Sequence, residues 1–104
     1  MRKAKVFVRG IEAGILSEIK QGDEYIFEYN EGYDGLEVSR TMLTSEKTYT
    51  FTNFPPFFEG LLPEGIQLEG LLKLNKIDRN DLFSQLISVG DDVVGAVTVK
   101  EIIE

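Results

Sequence analysis

The stretch that decides the fold runs from Phe51 to Gly70 and reads FTNFPPFFEGLLPEGIQLEG. It contains all three prolines of the chain and four of its seven phenylalanines. Apolar residues alternate before this stretch and recur at helical spacing after it, so it marks the change from strands to helices. Pro55 and Pro56 have no N–H to donate to a sheet, which predicts that the preceding strand ends near Asn53.

The same stretch has more apolar side chains than a short irregular segment can bury. Phe51 and Phe54 follow an alternating strand, which favours a place in the core. The apolar residues around Glu59 and Gly60 cannot all point inward, so the segment is either a lid on the core or a surface that another protein covers. We predict a set of partner contacts in which the apolar residues are anchors and the glutamate is a polar contact. The set is Phe57, Phe58, Leu61, Leu62, Pro63 and Glu64.

The N-terminal half is predicted to form an antiparallel meander. Turn residues at 9–10 and 21–23 separate three segments in which apolar and polar residues alternate. The predicted inward-facing residues are Ala4, Val6 and Val8, then Ile11, Ala13 and Ile15, then Tyr25, Phe27 and Tyr29. Further short strands are expected at Leu36–Arg40 and Lys47–Thr52. An aromatic stripe on a strand also occurs in proteins that stack nucleobases, but the interleaved glutamates of the third segment favour a core role.

The C-terminal half is predicted to contain helices. Phe57–Gly60 is expected to form a single helical turn, and Pro63 suits the first turn of the next helix because its missing N–H would be unpaired there. Leu68, Leu71 and Leu72 have the spacing of a core-facing stripe, and Gly70 within that helix indicates a close approach to the sheet.

A last helix and a last strand follow. Asp78 is the predicted N-cap of the helix, with Asp81 three residues later in a weak capping box. Gly90 is placed to end this helix. A final strand is expected over Val93–Val99, with Gly95 marking a bulge or a tight crossing. The fold class is therefore α+β, with a small antiparallel sheet of about five strands and two or three helices packed on it, in one domain spanning residues 1–104.

Composition argues against most catalytic and membrane functions. The chain has no cysteine and no histidine, which removes the commonest general base, the commonest metal ligand and any disulfide. The net charge of −7 opposes direct nucleic-acid binding. No apolar run approaches the roughly 20 residues that span a bilayer, and the N-terminus does not resemble a signal peptide. These features favour a cytoplasmic protein.

The candidate motifs for chemistry are all incomplete. Gly60–Gly65 and Gly90–Gly95 imitate the spacing of a phosphate loop but lack the lysine and the serine or threonine that would follow. Asp91 and Asp92 are adjacent and normally diverge, whereas a hard cation needs several converging oxygens. Glu59 and Glu64 form a possible carboxylate pair without any sign of a pocket between them. The sequence therefore predicts no catalytic residue, no metal and no cofactor.

Three motifs in order resemble the N-terminal subdomain of HipA-type serine/threonine kinases. They are FPPFFEGLLPEG at 54–65, DLFSQL at 81–86 and VGDDVVGAV at 89–97, with VFVRG at 6–10 and GIL at 14–16 fitting the start of the subdomain. In that family the subdomain is a small sheet with helices that sits on the kinase N-lobe and is not the catalytic part. The nucleotide-binding and catalytic-loop motifs of a kinase are absent from this chain, so the resemblance carries over no catalytic residue.

A free-standing copy of this subdomain is similar to the HipS antitoxins of HipBST toxin–antitoxin systems. The resemblance implies a protein that binds and neutralises a HipT-type kinase lacking the subdomain, together with a HipB-like protein that binds DNA. Two alternatives remain open from the residues alone. One is an accessory N-lobe subunit, or a fragment of a HipA-type kinase, that supports kinase activity. The other is an independent enzyme, which the composition disfavours.

Overall fold

The computed structural model describes residues 1–91 and 95–103 and has the predicted α+β architecture. The strands are β1 (Arg2–Val8), β2 (Ile11–Lys20), β3 (Glu24–Tyr29), β4 (Thr48–Phe51) and β5 (Val97–Glu101). The helices are α1 (Pro56–Glu59), α2 (Gly65–Asn75) and α3 (Leu82–Val89). The strands form one antiparallel sheet in the order β4-β3-β2-β1-β5. Among the helices described, none has the length and apolar character needed to cross a membrane.

The hairpin between β1 and β2 forms as predicted. Arg9 and Gly10 both have positive φ values, of 52° and 82°, which a two-residue turn between twisted strands requires. Side chains from one face of the sheet make up most of the core, because α1 and α3 pack on that face. The aromatic stripe of β3 is part of this core, with Tyr25, Phe27 and Tyr29 at most 3% exposed.

A bulge in β2 overturns part of the predicted inward face. Val6 pairs with Gly14 and Phe7 pairs with Glu12, so Ala13 has no partner on β1. The extra residue reverses the side-chain phase, and the even-numbered Leu16 and Glu18 become the buried residues of β2. The assignment of Ile11 and Ile15 to the inner face was wrong: Ile11 is 62% exposed, and Ile15 is half-buried on the opposite face.

The predicted strand at Leu36–Arg40 is also absent. The edge of β3 that faces away from β2 pairs with β4, so residues 36–40 do not continue the meander beside β3. The chain between β3 and β4 instead inserts Val38 and Met42 into the core. The Tyr29 hydroxyl holds both: it accepts a hydrogen bond from the Val38 N–H at 2.9 Å and donates to the Met42 carbonyl.

The proline segment forms the predicted single turn but starts the next helix later than expected. Pro56 is the first residue of α1, where a missing N–H is harmless. Pro63 was predicted in the first turn of α2, which is wrong. Glu64 is the N-cap of α2 and has an extended backbone, so Pro63 lies outside the helix. Gly65, the first helical residue, has a φ of +60°, which favours glycine.

The second helix packs less closely than its leucine spacing suggests. Leu72 is buried, whereas Leu68 and Leu71 are half-buried. The predicted close approach of Gly70 to the sheet is wrong, because a Cβ placed there would have no heavy atom within 4 Å outside its own helix and chain neighbours.

The third helix is capped by Asp81 and not by Asp78 as predicted. Asp78 closes a preceding turn by accepting the Asn80 N–H at 2.7 Å, while Asp81 accepts the Ser84 N–H at 3.1 Å. Gly90 ends the helix as predicted, and a Cβ there would lie 2.0 Å from the Val99 carbonyl oxygen of β5. The last strand begins at Val97; the predicted start at Val93 lies outside the described residues.

Candidate partner-binding surface

The aromatic–proline segment is anchored by two phenylalanines that point into the core. Phe54 is 5% exposed, and its ring meets the edge of Tyr25 at a centroid distance of 5.2 Å. Phe58 is 0% exposed, and its ring centroid lies 6.1 Å from that of Phe27. Two buried rings from this segment therefore contact the aromatic strand β3, so the segment closes one side of the core.

This burial corrects the predicted contact set at one position. Phe58 has no accessible surface with which to touch a partner, and it belongs to the core. The reason is geometric: within the single turn of α1, Phe58 faces the sheet, whereas its neighbour Phe57 lies at the margin of the core. A short irregular segment can thus bury one of its two adjacent phenylalanines completely.

The remaining apolar residues of the set are only partly covered. Phe57, Leu61, Leu62 and Pro63 are all half-buried, and we call them the apolar ridge. Phe57 packs edge-on against Phe58 at a centroid distance of 5.2 Å, and Leu61 and Leu62 also pack against the buried cluster. Phe57, Leu61 and Leu62 therefore each have one side on the core and another side open to solvent.

The backbone of this segment is held in consecutive turns. The N–H of Leu61 donates to the Phe58 carbonyl at 3.1 Å, and the N–H of Leu62 donates to the Glu59 carbonyl at 3.1 Å. These hydrogen bonds fix the backbone conformation of the ridge. A preorganised segment of this kind loses less conformational entropy on binding than a flexible one. Glu59, between Phe57 and Leu61, and Glu64, directly after Pro63, are both exposed. Half-buried apolar residues with acidic neighbours match the anatomy of an interface core and its polar rim.

A second feature, which the sequence analysis did not predict, ties the first strand to the third helix. The Arg2 guanidinium donates from Nε to Glu18 at 2.7 Å and from Nη2 and Nη1 to the two carboxylate oxygens of Asp81 at 2.9 and 3.3 Å. It also donates to Ser84 Oγ at 2.8 Å and lies 4.9 Å from the Phe83 ring centroid. No clear signal for it exists in the sequence, because Glu18 is one of several polar residues in β2 and nothing local marks it as the buried one.

This network fully pairs the buried glutamate. Glu18 is 5% exposed, and its second carboxylate oxygen accepts the Tyr25 hydroxyl at 2.9 Å. Burial raises the pKa of the Tyr25 hydroxyl above its usual range. Burial also opposes ionisation of Asp81, but the hydrogen bonds from Arg2 and Ser84 outweigh it and hold the pKa of Asp81 below its usual value. The network therefore fastens α3 to the sheet.

We predict that Asp81→Asn destabilises the fold in a pH-dependent way. The asparagine keeps the helix cap but loses the ion pair, so the free energy of unfolding should fall by about 1 kcal/mol at neutral pH. Because the folded-state pKa of Asp81 is depressed, the stabilisation is complete above the ordinary aspartate pKa and is lost as pH falls through the folded value. Urea titrations from neutral pH to about pH 3 should show the two proteins converging.

The matched control is Asp78→Asn, which alters an exposed aspartate that caps only the preceding turn. We expect a change within about 0.5 kcal/mol. If this variant lost as much stability as Asp81→Asn, the assignment of the N-cap and the ion pair to Asp81 would be wrong.

The described residues contain no metal-binding cluster and have a cleft beside α3. No group of three or more acidic, histidine or cysteine residues within 1–91 and 95–103 is arranged to hold a metal ion. A cleft of about 320 Å³ lies beside α3 and is lined by Arg2, Ile77, Phe83 and Ile87, among others. Its arginine is already engaged by Glu18 and Asp81.

Comparison with known proteins assigns the family. The family model described as HipA N-terminal domain matches residues 4–100, which covers the sheet and all three helices. The chain belongs to the HipA N-terminal domain family. The family match agrees with the resemblance inferred from the motifs. The apolar ridge lies within the longest of those motifs, at residues 54–65.

Two individual proteins show how similar this HipA N-terminal domain is to its relatives. An uncharacterized protein of Haemophilus influenzae is 31% identical over 101 residues, which span 97% of this chain and 93% of the relative. A solved structure of the N-terminal domain of HipA toxin superposes with a TM-score of 0.77 at 28% identity, covering 100% of this chain and 95% of that one. The Haemophilus relative is thus a protein of about the size of this domain.

Proposed function

We propose that this HipA N-terminal domain is an antitoxin subunit of the HipS type, which binds and neutralises a HipT- or HipA-type serine/threonine kinase lacking the subdomain. The observation that carries the proposal is the apolar ridge, whose four residues are half-buried in a segment that already supplies two rings to the core. Family membership supports a kinase as the partner, and a relative of similar length supports action as a separate chain.

Charge and size fit an inhibitor that acts by docking. The chain has a net charge of −7, and Glu59 and Glu64 are exposed beside the ridge, so a basic surface on the kinase would be complementary. We propose Phe57, Leu61, Leu62 and Pro63 as apolar contacts and Glu64 as a polar contact. A HipB-like DNA-binding protein is the proposed third member of the complex.

The test is the turnover of a purified HipT-type kinase with and without this chain. We expect autophosphorylation and ATP hydrolysis to fall in proportion to the amount of chain added, and to stop near a 1:1 ratio. A complex that forms without loss of turnover, or with a gain, would support the accessory N-lobe alternative. Absence of a complex would contradict both functions.

The ridge itself is tested by Leu62→Ala. We expect kinase affinity to fall by about tenfold or more, because half-buried anchors at the centre of an interface dominate binding. The matched control is Leu36→Ala, which removes the same atoms from a leucine that is 53% exposed in the β3–β4 loop. Thermal melts of both variants separate lost binding from lost folding. Equal affinities for the two variants would exclude Leu62 from the interface.

A further inference from the structure

The outer face of α2 has an apolar stripe that its own domain does not cover. Ile66 is 90% exposed and Leu74 is 84% exposed, the highest values of any apolar residue within a described helix or strand. Gly70 lies midway between them, so the three residues are one turn apart on a single helix face. The half-buried and buried leucines at 68, 71 and 72 lie on the other side. The stripe therefore points away from the core.

Packing among the described residues does not require a glycine at position 70. Gly70 is exposed and has open space around the position of a Cβ, so no neighbouring atom requires a glycine there. A glycine in a helix interior lowers helix stability by about 1 kcal/mol relative to alanine. Its place between two exposed apolar residues matches a helix surface that another backbone approaches closely.

We infer that the α2 stripe is a self-association surface, in which α2 of a second copy of this chain packs antiparallel across Gly70. A two-fold axis that passes through the contact at Gly70 relates the two helices. Each residue a given number of positions after Gly70 then lies at the same level along the helix pair as the residue the same number of positions before Gly70 in the second copy. Ile66 then meets Leu74 of the second copy, and Leu74 meets Ile66. The single two-fold axis therefore gives both exposed apolar residues a partner, and the two Gly70 residues allow the helices to approach closely.

Charge favours the same arrangement. The segment 64–79 carries three acidic and three basic residues and is therefore neutral, within a chain whose net charge is −7. The same axis places Lys73 and Glu69 of one copy on the same side of the helix pair as Glu69 and Lys73 of the second copy, so unlike charges lie near each other across the contact. Antiparallel α2 helices also bring opposite ends of their dipoles together. A self-association surface needs such local neutrality, since two strongly acidic faces would repel each other.

The predicted association is weak and concentration-dependent. A contact limited to an 11-residue helix is smaller than the roughly 800 Å² per partner of a standard interface, so we expect a Kd of about 10–100 µM. Sedimentation velocity from about 1 µM to about 1 mM should show a rise from one chain mass toward two. A single chain mass across that range would overturn the inference.

Substitutions on the stripe test its residues. Ile66→Gln and Leu74→Gln should each weaken association by about tenfold or more, while the thermal midpoint stays unchanged because both side chains are exposed. Gly70→Gln should weaken association and raise the thermal midpoint, since it adds helix propensity and blocks the close approach. Leu36→Gln, on the β3–β4 loop, is the control and should leave association unchanged.

Disulfide trapping tests the geometry, because the chain contains no cysteine of its own. Gly70→Cys should form a disulfide-linked dimer under mild oxidation, since the axis brings the two Cα atoms close together. A mixture of Ile66→Cys and Leu74→Cys should form the mixed disulfide faster than either variant forms its own. Ser45→Cys, at an exposed loop position, is the control. Equal rates for Gly70→Cys and Ser45→Cys would overturn the inference.

The outcome is independent of the proposed kinase inhibition. A protein that remains a monomer yet inhibits the kinase would overturn only the α2 inference. If Ile66→Gln and Leu74→Gln weakened kinase binding without affecting sedimentation, the stripe would belong to the kinase interface and the self-association inference would be wrong.

Discussion

Phe58→Ala is expected to lower the free energy of unfolding by about 3–5 kcal/mol, because it removes a fully buried ring and leaves a cavity beneath the proline segment. The ring contacts Phe27 and Phe57, so two neighbours also lose packing. Small domains have a total stability of roughly 5–15 kcal/mol, and the variant therefore loses a large part of it. Urea denaturation measured by circular dichroism would give the value directly.

The matched control is Phe57→Ala, which deletes the same atoms from the adjacent half-buried residue. We expect a smaller stability loss of about 1–2 kcal/mol, with a larger effect on kinase binding. A Phe58→Ala protein as stable as Phe57→Ala would show that Phe58 is not the core anchor. Any loss of kinase binding by Phe58→Ala should therefore be attributed to unfolding and not to a missing contact.

Arg2→Met is expected to lower the free energy of unfolding by about 2–3 kcal/mol. Removing one partner of a buried pair typically costs roughly 3–5 kcal/mol, but Arg2 is 33% exposed, so solvent screens part of the interaction. The loss arises because Glu18 remains buried with Tyr25 as its hydrogen-bond donor and without a countercharge. Arg2→Lys, which keeps the charge but not the fork that reaches both Glu18 and Asp81, should be intermediate.

The carboxylate that loses its partner can be removed to test this explanation. Glu18→Gln in the Arg2→Met background keeps an acceptor for the Tyr25 hydroxyl and eliminates the unpaired buried charge. We expect the double variant to recover at least half of the lost stability, a coupling that a double-mutant cycle measures. Additive losses in the two single variants would mean that Arg2 and Glu18 do not act as a pair.

Phe58 and Arg2 both stabilise the fold, at different places. Phe58 fills the core beneath the proline segment, and Arg2 joins α3 to β1 and β2. Neither leaves a large surface for a partner. The apolar ridge and the α2 stripe are the places where substitutions should change binding with little effect on the fold.

Local patterns predicted the elements of this fold where neighbouring residues alone decide the structure. The turn at Arg9 and Gly10, the single helical turn after Pro55, and the end of α3 at Gly90 were predicted correctly. Each depends on backbone preferences of residues within one turn. The aromatic stripe of β3 was also assigned correctly to the core, because Glu24 and Glu28 mark the opposite face of the strand as the solvent-facing one.

The errors arose where a distant part of the chain decided the outcome. The bulge at Ala13 moved Ile15 off the core face, and no local residue pattern shows which strand position lacks a partner. The segment at 36–40 had a strand-like pattern, but β4 occupied the edge that it needed. At the candidate surface, five of the six predicted contacts keep some exposure, whereas Phe58 is buried because the sheet lies beneath it.

The sequence by itself determined the α+β class, the position of the change from strands to helices and the family, since these follow from short-range periodicity and from ordered motifs. Only the tertiary structure decided which of two adjacent phenylalanines faces the core and that Arg2 joins Glu18 to Asp81. It also decided that Ile66 and Leu74 remain uncovered. The physical reason is that burial and ion pairing are properties of residues far apart in the chain, and they exist only once the sheet has brought those residues together.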